Sequence, residues 1–514
     1  MNQKHYLLKG TFLLTAAGAV TRFLGFFYRI FLSRTIGAEG IGIYHLILPV
    51  YSFCMAASSG GIQTAISRFC AERFAQNDKK GSDRILAIGL ALSISVSILT
   101  ASLLYYCADM VAISFLAEPR CAPLLRIVAI SLPFSVIHAC ISGYFIGKKQ
   151  VSIPAISQFA EQLFRIGAVL LFYTMLQKDG RCLSPVSMAF GQAAGELAAS
   201  LYCTFCYLGS RPSASVRTCG SRLLLQESRQ ILAVSSPLGL NRMLICVLQG
   251  IEAALLPQQL IQFGLNSSDA LSMYGTLTGM TLPLLLFPTA ITGAVGTLLL
   301  PAVSEARVLN HQKQLSRTIE ATFRASFLLG LVCFNLFCLF GTELGTLLFH
   351  NQLAGHFIQM LAWICPFLYL NTTLVNILHG LDKTFAVSLQ NSLGFGVRLA
   401  SVIFLVPQSG IEGYFTGLFA SQLLIFTATL FTLHRSAPLQ LPVFPVFLKP
   451  LAVCSASSIL LYLIKILIPP LGFDTWGSFI LCGLIYIIAF SGLSAVFLLP
   501  DWLIPPKNRL SEHK

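Results

Sequence analysis

Charged residues are scarce in this sequence: Asp, Glu, Lys and Arg make up 11% of its 514 residues, against about 25% in soluble domains. A chain of this length normally folds into several water-soluble domains, each of which needs a charged surface. The 20 acidic and 34 basic residues are too few to supply such surfaces. The scarcity therefore excludes an ordinary soluble fold and predicts that lipid covers most of the protein.

The sequence also lacks the patterns that hold metals or cofactors. Most of its 15 Cys lie inside apolar runs, where a thiol behaves as a small hydrophobic group. The nine His show no metal-ligand spacing. No loop is large enough to hold the acidic catalytic residues of a membrane glycosyltransferase. We therefore expect no metal, no cofactor and no enzymatic activity.

Long apolar runs predict fourteen membrane-spanning helices, because a bilayer core needs about 20 apolar residues per helix. Of the 34 basic residues, 22 fall in the gaps on the side of the N-terminus and only four in the opposite gaps. This asymmetry predicts that both termini are cytoplasmic and that the protein lies in the cytoplasmic membrane. The predicted spans are 10–33, 41–66, 85–117, 122–146, 154–177, 185–208, 230–257, 270–301, 318–349, 354–379, 386–407, 411–433, 446–468 and 476–500.

An internal repeat with an offset of 233 residues links the two halves of the chain. It aligns Gly60 with Gly293, Glu72 with Glu305, Pro133 with Pro366, Gly147 with Gly380, and Arg165 with Arg398. Six helices per half give both halves the same orientation, with a pseudo-twofold axis along the membrane normal. We therefore predict an all-α polytopic membrane protein of two six-helix lobes and two extra C-terminal helices, an architecture typical of alternating-access transporters. Its parts are an N-lobe (1–208), a cytoplasmic basic linker (209–229), a C-lobe (230–435), and helices 13–14 with a cytoplasmic tail (436–514).

Eight basic residues remain within or beside the predicted spans, where a central charge costs at least about 2.5 kcal/mol and needs a cavity or a partner. In the first span Gly18, Arg22, Gly25, Arg29 and Ser33 share one helical face. Arg offers paired donors that match phosphate oxygens. The stripe predicts a phosphate clamp at Arg22 and Arg29, with plain helix packing and outward snorkelling as the alternative.

Polar residues also mark spans 5 and 11, which the repeat superposes. In span 5, Gln158, Glu161 and Arg165 share a face, and Glu161 can pair with Arg165 four residues on. In span 11, Asn391 and Arg398 repeat Gln158 and Arg165, but Gly394 replaces the carboxylate. Arg165 is either a headgroup ligand or half of a structural ion pair. Arg398 is a headgroup ligand or pairs with Glu252 or Glu196.

Span 7 adds Asn241, Arg242 and Glu252. Arg242 is a further candidate for headgroup binding. Glu252 is a candidate proton or cation site, with a buried ion pair as the alternative. We also treat Asn241, Gln158, Asn391 and Glu161 as candidates for polar cavity lining or ion coupling.

Four segments of the first two spans resemble a known family. They are RFLGFFYRI (22–30), GAEGIGIY (37–44), PVYS (49–52) and AISRFCAE (65–72). The chain resembles the family of stage V sporulation protein B and the polysaccharide biosynthesis flippases. This family lies in the multidrug, oligosaccharidyl-lipid and polysaccharide (MOP) exporter superfamily, which also contains the MurJ-type lipid II flippases.

The resemblance implies a flippase that moves an undecaprenyl-pyrophosphate-linked glycan or peptidoglycan precursor across the membrane by alternating access. Membrane lipids and cell-wall synthesis proteins are the implied partners, and nucleic acid is not. Arg22 matches the first-helix arginine of the lipid II flippases, and Arg29 lies one residue beyond their second. Their helix-2 arginine and their helix-7 acidic residue have no counterpart here, where Cys54 or Met55 and Asn241 stand. These departures favour the sporulation branch or another lipid-linked glycan.

Two other functions stay open. A multidrug or cation antiporter of the same superfamily would need an acid-rich cavity, whereas the central spans hold more Arg than Asp or Glu. A non-transporting membrane scaffold of wall synthesis would tolerate the loss of Arg22.

Overall fold

All regular secondary structure in the described part of the chain is helical. The computed structural model describes residues 3–178, 183–210, 221–309, 311–436, 447–467 and 476–497. The chain divides into two compact units. One comprises Met1–Met280 and Arg398–Gly417, and the other comprises Thr281–Val397 and Leu418–Lys514.

The helices follow one another with few residues between them. The first ten are α1 (Gln3–Thr35), α2 (Gly37–Ser59), α3 (Ile62–Ala75), α4 (Lys79–Tyr106), α5 (Ala108–Met110), α6 (Cys121–Gly147), α7 (Ser152–Lys178), α8 (Pro185–Gly209), α9 (Ser221–Gln262) and α10 (Ser267–Gly275). The remaining ten are α11 (Leu282–Leu286), α12 (Thr289–Val308), α13 (Gln312–Phe349), α14 (Gln352–Leu361), α15 (Cys365–Gly380), α16 (Thr384–Phe404), α17 (Val406–Ser409), α18 (Ile411–Ser436), α19 (Lys449–Leu467) and α20 (Trp476–Phe497). Short π-helical turns cover Val111–Phe115 and Thr276–Thr281, and a 3₁₀ turn covers Ala362–Ile364.

The helices are long and apolar enough for a multi-pass membrane protein. Within the described ranges, eight helical stretches satisfy the length and hydropathy of a membrane span, and a ninth does so if a pair bent by 51° counts as one span. Each of the fourteen predicted spans overlaps at least one helix. The count of fourteen crossings and the symmetry of two six-helix lobes remain predictions.

Several predicted spans are interrupted by local backbone features. The span predicted at 41–66 is split into α2 and α3 by Gly60 and Gly61, where the helical hydrogen-bond ladder stops. The span at 354–379 is split by the 3₁₀ turn Ala362–Ile364 just before Pro366. Proline interrupts a helix because its ring clashes with the preceding turn and its nitrogen has no hydrogen to donate. Hydropathy does not report such breaks, because apolar residues flank them on both sides.

Parts of the prediction lie outside the described residues. They are 211–220 of the predicted linker, and 437–446, 468–475 and 498–514 of the predicted C-terminal part.

In the first unit, α6 packs against α2, α3, α4 and α8. A buried cluster that includes Ile66, Val136, Ile141 and Phe145 fills the space between α3, α4 and α6. Gly147 permits a close approach of α6 to α3, since a Cβ there would lie 2.6 Å from the carbonyl oxygen of Ser67. Small residues at helix contacts are the usual way for membrane helices to pack closely.

The backbones of α2 and α10 touch at two glycines. A Cβ on Gly42 would lie 2.3 Å from the carbonyl oxygen of Leu271, and a Cβ on Gly275 would lie 1.9 Å from the carbonyl oxygen of Ala38. Atoms at such distances overlap, so neither position has room for any side chain. This contact, the Gly42–Gly275 seam, fixes α10 on α2.

In the second unit, α13 and α15 pack against each other around a separate apolar cluster, which includes Phe323, Leu331, Leu374 and Ile377. Tyr369 places a polar group inside this unit. The Tyr369 hydroxyl donates to the carbonyl oxygen of Leu285 at 2.7 Å. This pairing removes the cost of burying an unsatisfied hydroxyl.

Arg120 links the start of α2 to the segment before α6. Its Nε donates to Glu118 Oε1 at 2.7 Å, and its Nη1 donates to Glu39 Oε1 at 2.7 Å. The hydrogen bond with Glu118 raises the pKa of the Arg120 guanidinium. Arg120 lies in a gap that is predicted to face outside. Its charge is therefore paired with carboxylates of the first unit.

A buried carboxylate joins α9 to α3 and α4. Glu227 accepts from Arg84 Nε at 2.6 Å and from Arg73 Nη2 at 3.1 Å, and its side chain is 3% exposed. Because α9 begins at Ser221, residues 221–229 of the predicted linker are helical, and Glu227 is the buried residue among them. Arg73 and Arg84, which in the sequence serve only as markers of membrane topology, are thus ion-pair partners of Glu227.

We expect Glu227→Ala to lower the free energy of unfolding by about 3 kcal/mol, because it leaves the half-buried guanidinium groups of Arg84 and Arg73 without their carboxylate. Thermal unfolding of the detergent-purified protein measures this loss. Glu72→Ala is the matched control, since its pair with Arg68 is exposed and is worth about 0–1 kcal/mol. Equal melting temperatures for the two variants would contradict this role of Glu227.

Candidate functional site

The predicted stripe of α1 presents two guanidinium groups without partners. Arg22 is exposed and Arg29 is half-buried. Within the described residues, neither guanidinium forms an ion pair or a hydrogen bond. A Cβ on Gly18 would meet nothing within 4 Å, and one on Gly25 would meet only Gln162 Nε2 at 3.6 Å. The stripe therefore combines unused donors with open space beside them.

Arg29 borders a polar cluster inside the first unit. It interacts electrostatically with Arg165 of α7 and with Tyr44 of α2. Tyr44 also interacts electrostatically with Glu161 and Glu196. The edge of Phe31 packs against Tyr173 with ring centroids 5.3 Å apart, which holds α1 on α7.

The polar face of span 5 forms the pair that its spacing predicts. Arg165 Nη2 donates to Glu161 Oε1, and Nη1 donates to Gln162 Oε1 at 3.3 Å. The Nε of Arg165 is buried and has no hydrogen-bond partner in the described chain. Arg165 is thus an ion-pair member that keeps one donor unused.

Helix α8 contributes a second carboxylate, Glu196, which is 8% exposed. Its Oε1 accepts from Gln192 Nε2 at 3.1 Å and from the Tyr51 hydroxyl at 3.3 Å. Its Oε2 lies 3.7 Å from Nδ1 of His138 on α6. Gly195 allows α8 to approach α7 closely, since a Cβ there would lie 2.7 Å from the carbonyl oxygen of Glu161.

Ligand atoms of His138, Glu161 and Glu196 all lie within 4.8 Å of one another. Sequence reasoning assigned no ligand role to His138 and considered Glu196 only as an ion-pair partner. The three residues come from three helices, so no spacing along the chain relates them. The available signal was the presence of ionisable residues inside three successive apolar runs.

Arg398 is fully engaged within the first unit. Its Nε donates to Glu252 Oε1 at 2.9 Å, and its Nη2 donates to Glu252 Oε2. The Tyr414 hydroxyl donates to the same Glu252 Oε1 at 2.8 Å. Of the two partners considered for Arg398, Glu252 is the one observed, and the ion pair satisfies both charged side chains.

The other candidates are placed apart from these pairs or near the surface. Asn241 and Arg242 are exposed on α9, and Gln158 is exposed on α7. Asn391 is half-buried on α16, in the second unit. The Gln158 and Asn391 side chains form no hydrogen bond with other described residues.

Comparison with known proteins identifies relatives over most of the chain. A stage V sporulation protein B from Bacillus subtilis (strain 168) is 28% identical over 446 residues, covering 86% of both chains. The lipid II flippase MurJ of the same organism is 23% identical over 334 residues, covering 62% of this chain and 61% of that one. Both matches agree with the resemblance seen in the first two spans.

Solved structures and a family model agree with these relatives. The inward closed conformation of lipid II flippase MurJ superposes with a TM-score of 0.73 at 14% identity, covering 96% of this chain and all of that one. At this identity the match establishes the fold. Residues 7–307 match the model of a family described as polysaccharide biosynthesis protein. This match covers more than half of the sequence, so the chain belongs to the polysaccharide biosynthesis protein family.

Proposed function

We propose that the chain is a flippase for an undecaprenyl-pyrophosphate-linked glycan or peptidoglycan precursor similar to lipid II. Arg22 and Arg29 bind the pyrophosphate, and alternating access carries the headgroup across the cytoplasmic membrane. A role in spore cortex or cell-wall synthesis fits the names of its relatives, stage V sporulation protein B and lipid II flippase MurJ. Partners from the cell-wall synthesis machinery belong to the same proposal.

The observation that carries this proposal is which arginines have a carboxylate partner and which do not. Arg165 and Arg398 donate to carboxylates of their own unit. Arg22 and Arg29 have no such partner in the described residues. A guanidinium held in an apolar environment needs a counter-charge, and paired phosphate oxygens match its donor geometry. An anionic headgroup beside Gly18 and Gly25 would meet both needs.

The proposed topology follows the sequence: fourteen crossings, two six-helix lobes, two added helices, and both termini in the cytoplasm. Three of the four N-terminal segments that carry the family resemblance lie on α1 and α2, next to the proposed headgroup ligands. Cysteine labelling of the predicted loops from each side of the membrane tests this topology.

The proposed function predicts that Arg22→Ala and Arg29→Ala each lower the initial rate of lipid II translocation in proteoliposomes by about tenfold to hundredfold. Loss of one charge-assisted hydrogen-bond pair to a phosphate costs about 1.5–3 kcal/mol. Arg22→Lys should recover only part of the rate, since an ammonium keeps the charge and loses the paired geometry. The readout is access of an external enzyme to the outward-facing headgroup.

Arg126→Ala is the matched control, because Arg126 pairs with Asp109 at 2.5 Å and is exposed. Normal translocation by Arg22→Ala and Arg29→Ala at equal protein levels would overturn the clamp. Export of cationic dyes without lipid translocation would instead support the antiporter. A wild-type protein that moves neither substrate, and an Arg22→Ala variant that still complements a deletion strain, would support the scaffold.

A further inference from the structure

Three electron-pair donors converge inside the first unit, one from each of three adjacent helices. They belong to His138 of α6, Glu161 of α7 and Glu196 of α8, and their ligand atoms lie within 4.8 Å of one another. His138 Nδ1 lies 3.7 Å from Glu196 Oε2. Two acceptors facing each other at this distance repel unless a positive charge lies between them.

The proton of His138 is on the far side of the ring. His138 Nε2 lies 3.0 Å from Ser157 Oγ, and the Ser157 hydroxyl donates to the carbonyl oxygen of Pro154 at 2.8 Å. Because that hydroxyl has a single proton, Ser157 Oγ accepts from His138 Nε2. In the neutral imidazole, this network favours the tautomer with the proton on Nε2, in which the Nδ1 lone pair faces Glu196.

Hydrogen bonds also orient the carboxylates of Glu161 and Glu196. Gln192 and Tyr51 donate to Oε1 of Glu196, which leaves Oε2 for the cluster. Arg165 donates to Oε1 of Glu161. Each ligand atom is therefore backed by a hydrogen bond to its far side, which is the arrangement that orients ligands in protein metal sites.

We propose that His138, Glu161 and Glu196 form a binding site for a divalent transition-metal cation such as Zn²⁺ or Mn²⁺. An imidazole nitrogen with two carboxylates favours such ions over Na⁺ or Mg²⁺, which prefer oxygen ligands alone. Bonds from one ion to nitrogen and oxygen measure about 2.0–2.2 Å. Atoms bound to one such ion lie about 3–4 Å apart, a separation that His138 Nδ1 and Glu196 Oε2 already show. Glu161, whose ligand atom lies within 4.8 Å of theirs, completes the site by moving towards them.

The charges around this site couple metal binding to headgroup binding. This coupling rests on the proposed function. The formal charges of Glu161, Glu196, Arg165 and Arg29 sum to zero, although Arg29 forms no ion pair with either carboxylate. A pyrophosphate dianion bound at Arg29 would leave the cluster two charges negative in a region of low dielectric. A divalent cation restores neutrality and draws Glu161 from Arg165, whose Nε already has no partner. Metal and headgroup therefore favour each other's binding.

The first test is metal binding by the purified full-length protein after chelator treatment. Co²⁺ serves as the probe, because its visible absorption reports the ligands. We expect one Co²⁺ per chain, with affinity lowered at least tenfold by His138→Ala and by Glu196→Gln. His356→Ala is the matched control, because His356 is exposed on α14 in the second unit. Saturation of His138→Ala at the wild-type Co²⁺ concentration would overturn the site, as would a wild-type protein that binds no Co²⁺.

Ser157→Ala keeps the inference testable if a ligand variant fails to fold. It leaves all three ligands in place and removes only the group that fixes the His138 ring. Loss of such a group costs about tenfold to hundredfold in metal affinity. Unchanged Co²⁺ affinity and an unchanged absorption spectrum in a folded Ser157→Ala protein would count against the proposed site.

The linkage has its own readout, the affinity for a polyprenyl pyrophosphate with and without Zn²⁺. We expect Zn²⁺ to raise this affinity at least tenfold in the wild type. A smaller rise in His138→Ala measures the direct association of Zn²⁺ with the lipid and is subtracted. Translocation without metal binding would refute the metal site and leave the flippase intact. Metal binding without any translocation would refute the flippase and leave the site intact.

Discussion

Glu252→Ala is expected to lower the free energy of unfolding by about 3 kcal/mol, because it leaves the half-buried Arg398 guanidinium without its carboxylate. Glu252 is 7% exposed and accepts from both Arg398 and Tyr414. The variant therefore loses several hydrogen bonds to one charged group. Thermal unfolding in detergent, with intrinsic fluorescence as the readout, measures the change.

Asp109→Ala is the matched control, because the pair of Asp109 with Arg126 is exposed and should cost less than about 1 kcal/mol. The double variant Glu252→Leu/Arg398→Leu should recover much of the loss, since it removes both charges together. A near-normal melting temperature for Glu252→Ala would refute the structural role of the pair.

The same variants separate the two roles considered for Arg398. If Arg398 mainly holds α16 to α9, Arg398→Leu alters stability and leaves the translocation rate per folded molecule unchanged. If Arg398 binds the headgroup, Arg398→Leu lowers that rate at normal stability. The bidentate contact with Glu252 favours the first result.

Gly275→Ala is expected to destabilise the protein by about 3 kcal/mol or more, which is the upper range for overpacking. The added Cβ would lie 1.9 Å from the carbonyl oxygen of Ala38 and 2.6 Å from the Gly42 nitrogen. Both are backbone atoms, so no rotamer change can relieve the overlap, and α10 must move away from α2. The melting temperature and the yield of folded protein report this displacement.

Gly167→Ala provides the control for Gly275→Ala. Gly167 lies within α7, and a Cβ there meets nothing within 4 Å. Since alanine favours a helix interior over glycine by about 0.5–1 kcal/mol, this variant should be neutral or slightly more stable. A similar loss in both variants would mean that the seam does not depend on close backbone contact.

Hydropathy predicts where helices lie in this chain, because apolar length reflects the thickness of the bilayer. It does not predict how far α9 extends beyond the span: the predicted span begins at residue 230, whereas α9 begins at Ser221. This first part of α9 contains Glu227, a charged residue that looks exposed in sequence and is buried against Arg84. Hydropathy cannot detect a charge that is neutralised by a residue 143 positions away.

Only some of the contacts in the candidate site could likewise be predicted from the sequence. The pair of Glu161 with Arg165 was predictable, since four residues form one helical turn. The pair of Glu252 with Arg398 could be named only as one of two options, because it depends on which helices are neighbours. The approach of His138 to Glu196 was missed, since it depends on how close the helices α6 and α8 come to each other.

The Gly42–Gly275 seam has a mechanical meaning as well as a steric one. Where side chains interdigitate, two helices can separate only if each interdigitated side chain changes its rotamer. These changes slow the motion. At the seam the contact is between bare backbones, held by dispersion forces and by weak contacts such as Cα–H···O. At these two positions α10 and α2 therefore meet without interlocked side chains, and the close fit of the two backbones alone fixes their contact there.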